Sequence, residues 1–137
     1  MDAAIECFKK IIDVEPNYYK AFYQIGIAYI EKKDFKKATD SLKEALKINP
    51  RFSPAWKQIG HVFYENNNSS NASKYYQRAL ECDPLDIESK IGLANSHYLL
   101  ENFDMAIHYY EEISAIDMND EIEYNLANCY YMKGEID

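Results

Sequence analysis

Apolar residues recur along this chain in two alternating stripes, each with the period of a helix. In the first stripe, Phe22, Ile25, Gly26 and Tyr29 are spaced i, i+3, i+4, i+7, which places all four on one helical face. The second, Ala38, Leu42, Ala45 and Leu46, follows i, i+4, i+7, i+8 and predicts a second helix. A short polar turn, Lys32-Lys33-Asp34, lies between them, so the two helices run antiparallel as a hairpin. The unit then repeats. Glu15-Pro16, Asn49-Pro50 and Asp83-Pro84 place proline every 34 residues. The same shift lays Phe22 on Trp56, Ile25 on Ile59 and Leu93, Gly26 on Gly60 and Ala94, and Tyr29 on Phe63 and His97. It also aligns Ala4, Ala38, Ala72 and Ala106, then Phe8, Leu42, Tyr76 and Tyr110.

Two apolar stripes on so small a unit cannot be buried within it, so neighbouring hairpins must stack into a continuous core. Gly26, Gly60, Ala94 and Ala127 on the first helices, with Ala38, Ala72 and Ala106 on the second, mark the expected close approaches. A Leu there would overpack at about 1–3 kcal/mol, whereas truncating a large position such as Phe22 or Trp56 to Ala is expected to cost about 3–5 kcal/mol. Each proline lacks the N–H that would continue the preceding helix, and so sets the angle into the next unit. The predicted divisions are a second-type helix within 1–18, full hairpins at 19–52, 53–86 and 87–119, and a first-type helix within 120–137. The terminal helices are expected at about 2–14 and about 120–133.

The hairpin at 53–86 departs from the pattern at Ser69, where a bulky residue is usual. The one at 87–119 departs more, with Lys90 at the large position, Ile113 at the last small one and Met118 where proline is expected. Leu126-Ala127 follows Leu93-Ala94 by 33, which predicts a turn after Ile116 that is one residue tighter. Unmatched stripes remain at both ends: Ala4, Phe8, Ile11 and Ile12, and Leu126, Ala127 and Tyr130. Either the chain is an excerpt of a longer array, or copies associate head to tail and complete the terminal repeats.

Composition agrees with helices. Only 4 Gly and 4 Pro interrupt 137 residues that are 47% hydrophobic, enough for one domain or one run of repeats with a core. The 13 tyrosines offer large apolar bodies with polar tips, suited to half-buried surfaces that face partners. The net charge of -8 and pI near 4.9 repel phosphates, which disfavours nucleic acid. That charge is polarised: residues 1–80 hold 13 Lys and Arg against 9 Asp and Glu, residues 81–137 hold 2 against 14. With no 18-residue apolar run and no charged-then-apolar leader, a soluble, cytoplasmic protein without membrane association is expected. Cys7, Cys82 and Cys129 lie far apart with no metal-ligand spacing, and are read as reduced and structural, with no metal or cofactor. The Asn66–Ser73 stretch contains N-x-S triplets but is better explained as a polar loop entering a helix.

The pattern resembles the tetratricopeptide repeat (TPR) family over essentially the whole chain. Residues 19–52 supply its order of positions with Phe22, Ile25-Gly26, Tyr29, Ala38, Leu42, Ala45 and Pro50. Residues 53–86 supply Trp56, Ile59-Gly60, Phe63, Ala72, Tyr76, Ala79 and Pro84. The resemblance implies an all-α, right-handed superhelical solenoid whose first helices line a concave groove that binds a protein or peptide segment. Mapped onto this sequence, the groove presents Tyr23, Ile27 and Ile30, then Lys57, Gln58, His61 and Tyr64. Ile91, Asn95 and Tyr98 follow, and then Tyr124, Asn125, Asn128 and Tyr131. One column, Ile30, Tyr64, Tyr98 and Tyr131, forms an apolar-aromatic ladder, and the column His61, Asn95 and Asn128 offers hydrogen bonds.

A subclass of the family grips the C-terminal carboxylate of Hsp70 or Hsp90 with a clamp of Lys, Asn and Arg. Here those positions hold Tyr23, Ile27, Gln58, Glu88 and Gly92, or, one repeat later, Lys57, His61, Gly92, Glu121 and Asn125, which disfavours that ligand. Catalysis is not expected either. His61, His97 and His108 form no triad, and no phosphate loop or activated nucleophile is present in the sequence. Glu111-Glu112 diverge by about 100° on a helix and are read as a solvated face. The readings that remain are a non-catalytic interaction scaffold, a targeting array of a larger enzyme such as a glycosyltransferase, and a structural spacer that associates end to end.

Overall fold

A computed structural model describes residues 2–134 of the chain. Among the described residues it holds eight helices and no strand: α1 (Asp2–Val14), α2 (Tyr19–Glu31), α3 (Phe35–Ile48), α4 (Ser53–Glu65), α5 (Ser69–Cys82), α6 (Ile87–Leu99), α7 (Phe103–Ser114) and α8 (Asp120–Met132). The closest pairs are α2 with α3, α4 with α5 and α6 with α7, and each hairpin stacks on the next. Beyond chain neighbours, the substantial contacts are α2 on α4 and α4 on α6, both between first helices. The first helices therefore form the inner row of an all-α solenoid, and the second helices the outer row.

The expected glycine contacts are present, and tight. A Cβ on Gly26 would lie 2.7 Å from Leu42 Cγ, and one on Gly60 would lie 2.9 Å from Tyr76 Cδ1. A third contact was not foreseen: on Gly92 a Cβ would lie 2.5 Å from Tyr76 Cζ, so this ring is wedged between α4 and α6. Tyr76 and Tyr110 are the largest fully buried side chains, whereas Phe22 and Trp56 are only half-buried. The large positions thus cap the outer side of the core instead of filling it, and the cost expected for emptying Trp56 falls accordingly.

Two buried columns carry no mark in the apolar stripes: Ala21, Ala55, Ser89 and Ile122, and Ala28, Val62, Ser96 and Cys129. They pack against the preceding second helix, Ala28 beside Ile5, Ala55 beside Leu42, and Cys129 beside Ile113. Ser89 and Ser96 are tolerated because their hydroxyls bond Asp86 Oδ2 at 2.6 Å and the Gly92 carbonyl at 2.8 Å. Ala127, by contrast, is exposed, since no second helix follows α8 to pair with it among the described residues. Cys7 is exposed too, so of the three free thiols only Cys129 is wholly in the core, and burial pushes its pKa up.

The unit that is one residue short loses that length elsewhere than predicted. Helix α7 has 12 residues where α3 and α5 have 14, while the linker after it, 115–119, is longer than 49–52 or 83–86. With Met118 in place of proline, the chain makes a further turn as Asp117 N donates to the Ile113 carbonyl at 2.8 Å.

Each hairpin turn uses one left-handed residue: Lys33, Asn67 and Glu101 have φ of 61°, and Gly134 follows at 79°. That conformation lets Asp34, Asn68 and Asn102 donate back to the carbonyls of Tyr29, Phe63 and His97 at 2.9, 2.9 and 2.8 Å, closing the first helix. Asp34 and Asn68 then cap the second helix by accepting from Lys37 N and Asn71 N. A left-handed Lys or Glu is strained, so Lys33→Gly and Glu101→Gly are each expected to stabilise by about 0.5–1 kcal/mol, after the extra unfolded-state entropy of glycine is subtracted. Thermal unfolding of each variant checks this, and a lowered Tm would contradict it.

Candidate functional site

All fourteen groove candidates lie on first helices: Tyr23, Ile27 and Ile30 on α2, Lys57, Gln58, His61 and Tyr64 on α4, Ile91, Asn95 and Tyr98 on α6, and Tyr124, Asn125, Asn128 and Tyr131 on α8. None is fully buried, and Tyr124 and Tyr131 are 67% and 62% exposed. Electrostatic coupling reports their proximity. Burial, and then Glu121 of α8, raises the hydroxyl pKa of Tyr64 on α4. Tyr110 is raised by burial, then by Cys129, Tyr64 and Tyr98.

Lys57 and His61 belong to a network that bridges two hairpins. Lys57 Nζ lies 3.4 Å from Asp86 Oδ2 and 3.2 Å from Glu88 Oε2, and His61 Nε2 lies 3.0 Å from Glu88 Oε1. Burial disfavours all three charges, but the pairing outweighs it: Lys57 is raised, while Asp86 and Glu88 are lowered. The cation that one clamp register would use is thus already committed to two carboxylates. Asp86 escaped the sequence-level mapping because it sits before α6, in a linker that brings it back to α4; its separation from Lys57 carries no helical period.

The polar column is largely occupied by the fold itself. His61 Nδ1 meets the Tyr76 hydroxyl, and the Tyr110 hydroxyl donates to Asn95 Oδ1. Asn125 lies near enough to Tyr110, and Gln58 to Tyr23 across α2 and α4, to offset in part the rise that burial gives each hydroxyl's pKa. The chain records the reason. In the first hairpin Ile27 stands opposite Leu42; where Leu42 becomes Tyr76 or Tyr110, Ile27 becomes His61 or Asn95, because a buried hydroxyl needs a partner. Two members of the polar column, His61 and Asn95, thus satisfy buried tyrosines from their groove positions. Among the described residues, the ladder Ile30, Tyr64, Tyr98 and Tyr131, with Ile27, Ile91, Tyr124 and Asn128 beside it, makes no side-chain hydrogen bond to another helix.

The other charged groups found roles on the outer row. Lys90, at a large position, reaches Glu112 at 3.5 Å, and Tyr130 donates to Glu111 at 2.7 Å, so the paired glutamates tie helices together instead of only facing solvent. His97 stacks on Tyr109 at 6.1 Å and 6°, its pKa lowered by burial, and His108 pairs with Glu112 at 3.4 Å. Among the described residues no group of three or more His, Cys, Asp or Glu is placed to hold a metal ion, and no helix is long and apolar enough to cross a membrane.

Comparison with known proteins matches two family models, both described as tetratricopeptide repeat, over residues 19–52 and 57–121. No curated protein matches the sequence. Among solved structures, the chain superposes on MamA with a TM-score of 0.87 at 21% identity, covering 98% of this chain and 79% of that one. It superposes on YrrB, described as a TPR protein with an unusual peptide-binding site, with a TM-score of 0.86 at 21% identity, covering 98% of this chain and 70% of that one.

Proposed function

We propose, given that this chain belongs to the tetratricopeptide repeat family, that its inner face binds a segment of another protein, as a non-catalytic scaffold. The observation that carries the reading is the column Tyr64, Tyr98 and Tyr131, repeated on three successive first helices and at least partly exposed, with no side-chain hydrogen bond to the fold among the described residues. Rigid amphipathic rings at helical spacing suit an extended peptide or one face of a helix, which buries apolar side chains on them while its backbone bonds the hydroxyls. The peptide-binding site named for YrrB supports the same use of this fold. Around the column stand Glu65, Glu88 and Glu121 with Lys57 already paired, so a segment carrying Lys or Arg is favoured over an acidic tail.

The test uses the two most exposed rings. Tyr124→Ala with Tyr131→Ala should leave stability within about 0.5 kcal/mol, because neither side chain is packed. Affinity capture with mass spectrometry identifies the partner, and the double variant should retain at most about a tenth of the wild-type affinity, the scale of a lost aromatic anchor. Undiminished binding by the folded variant removes the inner tyrosines as the contact.

A further inference from the structure

The outer row carries a second site, visible by comparing one hairpin with the next. Over α4, between α3 and α5, the ring of Tyr75 stacks on Phe63 at 5.3 Å and 17° and lies 5.8 Å from Trp56. Over α6 the equivalent Tyr109 stacks on His97. The same 34-residue shift puts Ser41 at this place in the first hairpin, with Tyr29 and Phe22 at the positions of Phe63 and Trp56. A serine side chain cannot cover two aromatic rings. What remains over α2 is an open pocket of about 620 Å³, floored by Phe22, Ile25 and Tyr29, with Ile12 of α1 on one wall and Ser41 on the other. In place of a stacked ring, Tyr29 has the ammonium groups of Lys37 and Lys32 at 5.6 and 5.9 Å from its centre.

We propose that this pocket receives an aromatic side chain of a partner protein, a tyrosine or phenylalanine carried on a helix, in the place that Tyr75 and Tyr109 fill in the following hairpins. Three observations fix the occupant. The volume falls within the range of built ligand sites, and the floor is aromatic, so it rewards offset stacking. The rim is balanced, Lys9, Lys10 and Lys37 against Glu6, Asp13 and Asp40, which selects a neutral ring over an ion and matches the mixed charge of a polypeptide helix around it. The fold's own example of an occupant is the ring of Tyr75, presented from α5, a helix that walls the equivalent furrow. The site is on the face opposite the tyrosine ladder and stands whether or not that ladder binds a peptide.

The test is an amide NMR titration of the full chain with N-acetyl-tyrosine methylamide, with N-acetyl-alanine methylamide and p-cresol in parallel. The tyrosine derivative should shift the amides of Phe22, Ile25, Tyr29 and Ser41 saturably, and the alanine derivative should not. Ser41→Tyr fills the pocket and should weaken that response at least tenfold while raising Tm. Tyr75→Ser opens the equivalent furrow and should gain a new response around Trp56 and Phe63. No saturable shift in the wild type, an unchanged response in a folded Ser41→Tyr variant, or no gain in Tyr75→Ser overturns the proposal. So does p-cresol binding at least tenfold more tightly than the tyrosine derivative, which would assign the pocket to a free small phenol.

Discussion

Tyr76→Ala should lower the unfolding free energy by about 3–5 kcal/mol, the range for emptying a buried aromatic position. The ring is 1% exposed and is the piece of the second hairpin that reaches the third: its edge lies against Gly60 in its own hairpin and its tip against Gly92 in the next. Glycine at these two contacts means that no side chain reaches into the void from either point, which favours the upper end of the range. In a stack where each hairpin touches only its neighbours, damage at one joint weakens the coupling between the halves on either side. Urea unfolding followed by circular dichroism should therefore show a lower midpoint and a broader transition, because cooperativity falls with stability. Tyr76→Phe keeps the wedge and removes only the bond to His61, so about 1 kcal/mol is expected. Trp56→Ala, at a half-buried position bonded to the Pro50 carbonyl, should cost roughly half as much as Tyr76→Ala. Equal losses at Trp56 and Tyr76 would show that the wedge has been misassigned.

The repeat was legible because stacking imposes a period on size and polarity together. Eight helices, their hairpin pairing, the close approaches at Gly26 and Gly60, and the Asn66–Ser73 turn entering α5 all follow from residue type at fixed spacing. What escaped at the inner face has a common physical cause: it depends on a second residue far along the chain. His61 and Asn95 looked like ligand contacts until Tyr76 and Tyr110 were seen beside them, and Lys57 looked free until the linker brought Asp86 to it. Ser89 and Ser96 are buried because local hydroxyl acceptors exist, a fact that hydropathy does not carry. The left-handed turns were hidden for another reason. Lys33 and Glu101 adopt a glycine conformation without being glycine, and only Gly134 displays the signature. At the inner face, the period placed all fourteen candidates on first helices but did not reveal which of those side chains bond to other helices of the fold.

Gly92 is where that dependence can be measured directly. Gly92→Gln should destabilise the chain by about 1–3 kcal/mol, although glutamine is the better helix former by nearly 1 kcal/mol, because its Cβ would meet Tyr76 Cζ, Cε1 and Cε2 at 2.5, 2.7 and 2.7 Å. One joint earlier the chain already solves this contact in another way. There Gln58 holds the place of Gly92, and the residue beneath it, at the place of Tyr76, is Leu42, which ends short of the atoms a tyrosine ring would push against it. At the following joint Asn125 holds that place near Tyr110, in the unit that is one residue shorter. Glycine at 92 is therefore required by the tyrosine at 76 and not by the helix. Installing the earlier pair, Tyr76→Leu with Gly92→Gln, should recover at least about 1 kcal/mol relative to the sum of the two single changes, as expected for residues in contact. The double variant forfeits the Tyr76 hydroxyl, so His61 keeps only Glu88 among these partners and full wild-type stability is not regained. Urea midpoints of the four proteins give the coupling energy directly; strictly additive losses would mean that the backbone around Gly92, and not the ring, sets the demand for glycine.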